Sequence, residues 1–174
     1  MLKSLALMVA ICTCLACHAQ DLRGTDEAKA ACGSFSPPDS VTAPTPAKAT
    51  GDATIYVIQI SNVSGSCLGG CGPKSRIGMD RHWVGLTKGR SVVTLNVKPG
   101  LHHLCAAWTS RNKQLAELVA LHSIRAEANM SYYFGLDVID SSTLGGGWVH
   151  YALHPLDEDE AKMLINVYPI SENH

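Results

Sequence analysis

The chain has 174 residues, a formal net charge of -1 and 17% charged residues, a length that suits one domain with additions. No basic stripe stands out, which removes the electrostatic footing for nucleic-acid binding. The hydrophobic share of 46% is ordinary for a globular chain, although part of it belongs to the N-terminus and does not count toward a core.

Residues 1–19 read as a signal peptide. Lys3 supplies the charged start, an apolar run follows over 5–16, and Cys17-His18-Ala19 presents small residues where a signal peptidase needs them, with cleavage after Ala19. The run is too short to span a bilayer as a helix. A second reading is lipid anchorage: Leu15-Ala16-Cys17 resembles a lipobox, except that Cys14 stands where an aliphatic residue belongs. The expected location is the periplasm or the exterior, with attachment to the outer membrane through Cys17 as the alternative.

Removing the leader takes away Cys12, Cys14 and Cys17 and leaves Cys32, Cys67, Cys71 and Cys105. An even number of cysteines in an exported chain favours disulfides over free thiols. Cys67 and Cys71 flank Gly69-Gly70, which lets the backbone fold tightly enough to join them. Cys32 and Cys105 are the remaining pair, and their bond would pin the N-terminal part to the domain.

Residues 20–52 form a spacer rich in proline and alanine, with Pro37-Pro38 and Ala43-Pro44-Thr45-Pro46-Ala47 offering little to bury. A short helix is expected within it, over 21–31. From residue 53 onward the pattern is that of strands. Residues 55–60, Ile-Tyr-Val-Ile-Gln-Ile, are apolar on both faces and read as a buried strand. A Gly/Ser-rich loop over 62–74 precedes two short strands, 76–79 and 82–86, around an Asp80-Arg81 turn. In 91–97, Val93, Leu95 and Val97 alternate onto one face. Lys98-Pro99-Gly100 makes a tight turn, and 101–109 is expected to return as the hairpin partner. Further strands are expected at 117–124, 132–138 and 148–153. Asp157 followed three residues later by Glu160 is a capping box opening a helix over 158–165. Short strands parted by turns describe a small antiparallel β-sandwich over 53–174 with a C-terminal helix.

Several segments occur in an order that resembles a known pattern: "RIGMDRHWVG", "VKPGLHHL" and "AEANMSYYFGLDV", with "CLGGC", "HHLCA" and "DEDEAK" around them. The order resembles a family of bacterial exported proteins and lipoproteins known as a domain of unknown function. It is also similar to PEGA-type β-domains, whose strand ends in Pro-Gly-x-His, here Pro99-Gly100-Leu101-His102. The likeness covers about residues 53–170 and implies a small β-sandwich and no reaction. One departure is Asp80-Arg81, where PEGA domains usually carry Asp-Gly.

Chemistry-bearing residues are sparse. His102, His103 and Cys105 are zinc-ligand types. Strand alternation, however, gives His102 the face of Leu104, Ala106 and Trp108, and gives His103 the face of Cys105 and Ala107. His150 and His154 share a face but stand two pleats apart, roughly 13 Å if fully extended. No metal and no cofactor is therefore expected. Cys67-Leu68-Gly69-Gly70-Cys71 is not a Cys-x-x-Cys redox motif, the Gly-rich run before Lys74-Ser75 is interrupted by Pro73 and is not a phosphate loop, and no nucleophile–base set appears. These residues imply a non-catalytic module of the cell envelope that binds a protein or a glycan, through loops bearing Arg111, Lys113 and Trp148. A membrane enters only through an anchor at Cys17. The alternative is a metal- or thiol-redox-active periplasmic protein using His103, Cys105, Cys67 and Cys71.

Overall fold

The computed structural model describes residues 22–23, 26–33, 48–63, 74–109, 118–140 and 149–171. The leader, Cys17, the Cys67/Cys71 pair, Arg111, Lys113 and Trp148 lie outside them. Two short N-terminal elements, β1 (Leu22–Arg23) and α1 (Asp26–Gly33), precede the strands β2 (Ala53–Val63), β3 (Lys74–Met79), β4 (His82–Lys88), β5 (Ser91–Val97), β6 (Gly100–Thr109), β7 (Val119–Ala126), β8 (Ser131–Asp140) and β9 (Val149–Pro155), and the helix α2 (Glu158–Val167).

The strands form two sheets, one ordered β1-β7-β6-β3-β4 and the other β5-β2-β8-β9. The inner faces meet in one core, with Ile55, Val57, Val93, Leu95, Phe134, Leu136 and Leu153 from one sheet against Ile77, Leu104, Ala106, Trp108 and Ile124 from the other. The architecture is the mainly β sandwich that the alternation implies. One pairing differs from an all-antiparallel arrangement: β2 and β8 run parallel, from Thr54 opposite Ser131 to Val63 opposite Asp140. The unbroken apolar run in β2 has a direct cause. Its strand is internal to the sheet, Ile55 and Val57 face the other sheet, and Ile58, with Tyr56 and Ile60, faces α2.

The β3–β4 hairpin forms as expected around Asp80 (φ 48) and Arg81 (φ 72), both in the left-handed region that a two-residue hairpin turn requires. The expected β5–β6 hairpin does not form. β5 pairs with β2, while β6 lies between β3 and β7. The turn over 98–100 therefore carries the chain from one sheet to the other. Val93 and Leu95 then oppose Leu104, Ala106 and Trp108 across the core instead of lying beside them. Gly100, at φ 152, supplies the backbone conformation of this crossing. Lys98 fixes it further: its ammonium lies 2.9 Å from the buried carboxylate of Asp52, which the ammonium holds below the usual carboxylate range.

Helix α2 covers the outer face of the second sheet, burying Ala161 and packing Leu164, Ile165 and Tyr168 near Ile58 and Val92. Asp157 caps it by accepting the Asp159 amide at 2.9 Å, and the first-turn acids Glu158, Asp159 and Glu160 suit the positive end of the helix dipole. The chain then runs along β5, where Val92 N–H donates to Pro169 and Ser171 N–H donates to Val92.

Part of the expected spacer is ordered. β1 pairs antiparallel with β7, Leu22 opposite Leu121, and α1 occupies 26–33, close to the helix expected over 21–31. The helix has little apolar surface to hold it in place, and a covalent bond does so instead: Cys32 is joined to Cys105 of β6. Both are buried in a cluster with Trp83, Val119 and Leu121 on the outer face of the first sheet. The bond spans a sequence separation of 73 residues, and closing a loop of that order is worth roughly 4 kcal/mol in the chain-entropy model. The Cys32→Ala/Cys105→Ala variant is expected to lose about 3–4 kcal/mol of stability in urea unfolding. An unfolding midpoint equal to that of the oxidised wild type would contradict the pinning role.

Candidate functional site

Three chain segments, 64–73, 110–117 and 141–148, leave from the same end of the sandwich. Their flanking residues show this through pairing: Lys74 opposes Lys88 and Thr109, Trp108 N–H donates to Leu118, and Asp140 opposes both Val63 and Val149. The tight turns over 80–81, 98–100 and 127–130 gather at the other end. Strand direction and order put these three connections at one end, with the short turn over 88–91, and the other tight turns at the opposite end.

The interior at the loop end is polar. Gln59 of β2, Thr87 of β4 and Ser75 of β3 are fully buried. The Thr87 hydroxyl contacts the Gln59 side-chain oxygen and lies 3.1 Å from the Ser75 carbonyl. A hydroxyl has one hydrogen. Turning the Gln59 amide so that its NH2 donates to Thr87, while Thr87 donates to Ser75, satisfies both contacts. This link joins the two sheets through side chains. Tyr151 is buried beside it, stacked on Trp108 with centroids 5.9 Å apart. Burial pushes its phenol pKa up, opposed by the Ser75 hydroxyl.

The histidines separate as alternation requires. His103 and Cys105 share the outer face of the first sheet, but Cys105 is bonded to Cys32, which removes the thiolate that a His103–Cys105 ligand pair needs. His102 sits at the crossing and bonds the backbone. Its Nε2 lies 2.7 Å from the Lys98 carbonyl and its Nδ1 lies 2.5 Å from Asp80 Oδ2. Both neighbours offer acceptor oxygens, so the doubly protonated ring is the form in which both ring nitrogens donate, and these contacts favour it. Asp80 also accepts the His103 amide at 2.9 Å. Burial lowers the His102 pKa, but Asp80 and the Lys98 carbonyl outweigh it and leave the value raised.

His150 and His154 do have a common neighbour. Asp137 on β8 opposes Ala152, which lies between them on β9, and its Oδ2 is 3.9 Å from His150 Nε2 and 3.6 Å from His154 Nδ1. Gly135 makes room for this arrangement: a Cβ there would lie 2.7 Å from the His154 ring. The rings stand on either side of one carboxylate. Among the described residues no three His, Cys, Asp or Glu side chains gather to hold an ion.

Sequence reasoning placed the paired Cys32 and Cys105 and missed Asp80 and Asp137. Asp80 carries only the signal of a turn aspartate, and its contact with His102 follows from the β3–β6 pairing. Asp137 carries none until the β8–β9 register is known. No protein-family model, no curated protein and no solved structure matches the chain.

The His102 contacts imply a pH dependence. A group whose pKa is raised on folding contributes fully below its unfolded value, about 6.5, and loses that contribution as pH rises through the higher folded value. His102→Gln should therefore destabilise the protein more at pH 5.5 than at pH 8.5, by roughly 0.2–1 kcal/mol for a pair whose carboxylate is open to solvent. Chemical denaturation at the two pH values checks this, and an equal loss at both would contradict it.

Proposed function

We propose that the protein is a non-catalytic module of the cell envelope that binds a protein or glycan partner through the loop end of its sandwich. The observation that carries this reading is that the segment with Arg111 and Lys113 and the segment with Trp148 depart, together with 64–73, from one end of a framework tied together by an internal polar link and a core. Such a framework fixes the strand ends from which these segments leave, and anchored ends reduce the entropy lost on binding. The Cys32–Cys105 bond supports export, since buried structural disulfides belong to oxidising compartments. Release after Ala19 and lipid anchorage at Cys17 are both compatible with it. The resemblance of "VKPGLHHL" to PEGA-type domains implies a β-sandwich and no reaction, which is compatible with this reading.

Within the loops, Arg111, Lys113 and Trp148 are the anchoring side-chain types, a guanidinium and an ammonium for anions and an indole for sugar faces. Sedimentation with insoluble cell-wall glycan, together with pulldown from an envelope extract, is the test. The triple variant Arg111→Ala/Lys113→Ala/Trp148→Ala, shown folded by circular dichroism, should retain less than a tenth of wild-type binding. Wild-type retention by the folded variant would refute the assignment of the loops.

A further inference from the structure

The loop end carries a second feature, on the sheet and not in the loops. Lys74 and Arg76 of β3 and Lys88 of β4 all lie on the outer face of the first sheet, and exposed Arg90 follows in the turn to β5. Helix α1 leaves this part of the face uncovered, since the cluster under it centres on Cys32, Cys105, Val119 and Leu121. None of the four cations has a carboxylate partner among the described residues. The acids Asp52, Asp80, Asp157, Glu158, Asp159 and Glu160 belong to the opposite end, where Lys98 pairs with Asp52 and Lys162 with Glu158.

Lys74 and Lys88 stand directly opposite each other on adjacent antiparallel strands. Like charges in that relation destabilise a sheet. A bound anion between them would reverse the sign of the interaction. Along the strand, Lys74 and Arg76 repeat at about 6.5 Å, and across the strands the spacing is about 5 Å.

We propose that this patch binds a linear polysaccharide carrying carboxylate or sulfate groups. The proposal rests on the reading of the protein as a binder at this end and names the chemistry of its partner. A charged glycan offers regularly spaced anions and hydroxyls and needs neither stacking nor an apolar core. A single-stranded nucleic acid draws on aromatic stacking, and no exposed Phe, Tyr or Trp lies on this face among the described residues. A bilayer draws on apolar side chains as well as charge, but exposed Met163, Val167 and Ile170 lie on the other sheet's side and Leu101 and Met130 at the other end. A protein interface needs an apolar centre, and the patch has only the half-buried Leu86.

The test is calorimetric or chromatographic binding of polygalacturonate to the full exported protein. Neutral dextran, anionic phospholipid vesicles and a single-stranded oligonucleotide are the comparisons. Wild type should bind polygalacturonate at low salt, with affinity falling steeply as salt rises, and should not bind dextran. Lys74→Gln/Lys88→Gln should bind at least tenfold more weakly. Arg81→Gln/Arg125→Gln, which removes the same charge at the opposite end, should stay within twofold of wild type. Lys88→Glu gives Lys74 a partner and should lose binding with no fall in thermal midpoint, so weak binding there cannot be assigned to unfolding. Failure of wild type to bind, equal loss in the two double variants, or vesicles or oligonucleotide bound as tightly as polygalacturonate would each overturn the proposal. The Arg111/Lys113/Trp148 variant in the same assay separates the two sites: loss there alone sinks the patch and leaves the loops, and loss in Lys74→Gln/Lys88→Gln alone does the reverse.

Discussion

The apolar contact between the two sheets is the constraint on which everything else in the molecule depends. Ile55, Val57, Val93, Leu95, Leu136 and Leu153 on one side, and Ile77, Leu104 and Ala106 on the other, are almost wholly removed from water. Each fully buried side chain of this kind is worth roughly 1.5–3 kcal/mol in transfer free energy, far more than any hydrogen bond or ion pair on the surface. Because strand side chains alternate, committing these residues inward commits their neighbours outward. The outward positions include Cys105, Lys74, Arg76 and Lys88 on one sheet, and Tyr56, Ile58 and Asp137 on the other.

The same constraint sets the path of the chain. The turns at 88–91, 98–100 and 127–130 pass between sheets, because each joins two strands whose apolar faces must oppose each other. Lys98 and His102 stabilise one of these passages from both sides, with Asp52 and Asp80 as their partners. The outer faces are then closed by different means. Helix α2 closes one through Ala161, Leu164 and Ile165, whereas α1, with few apolar residues, is held to the other by Cys32. Among the described residues, neither helix covers the basic corner at the loop end.

Local signals were legible in the sequence and relations between distant segments were not. The alternation of Val93, Leu95 and Val97, the apolar run of β2, the Asp80-Arg81 hairpin and the Asp157 cap all depend on a few consecutive residues, and all appear where the pattern puts them. Pro99-Gly100 signals a reversal of direction but is silent on whether the strands it joins lie side by side or face to face. That depends on β2 claiming the edge of β5, and β3 and β7 claiming those of β6. The parallel β2–β8 pair is non-local in the same way. In the candidate site, alternation alone separated His102 from Cys105. The meeting of His150 and His154 at Asp137, and of Lys74 with Lys88, required the strand register.

The strand order is the central claim, since the loop end and the basic corner both follow from it. It is tested most directly by cross-strand nuclear Overhauser effects between backbone protons, which report pairs of strands whose Cα atoms lie about 4.5–5.5 Å apart. The strand order predicts contacts linking β6 to β3 and β7, such as Cys105 with Gly78 and with Leu121, and contacts linking β5 to β2, such as Val93 with Val57. A ladder of such contacts between β5 and β6, as in a hairpin about Pro99-Gly100, would contradict it.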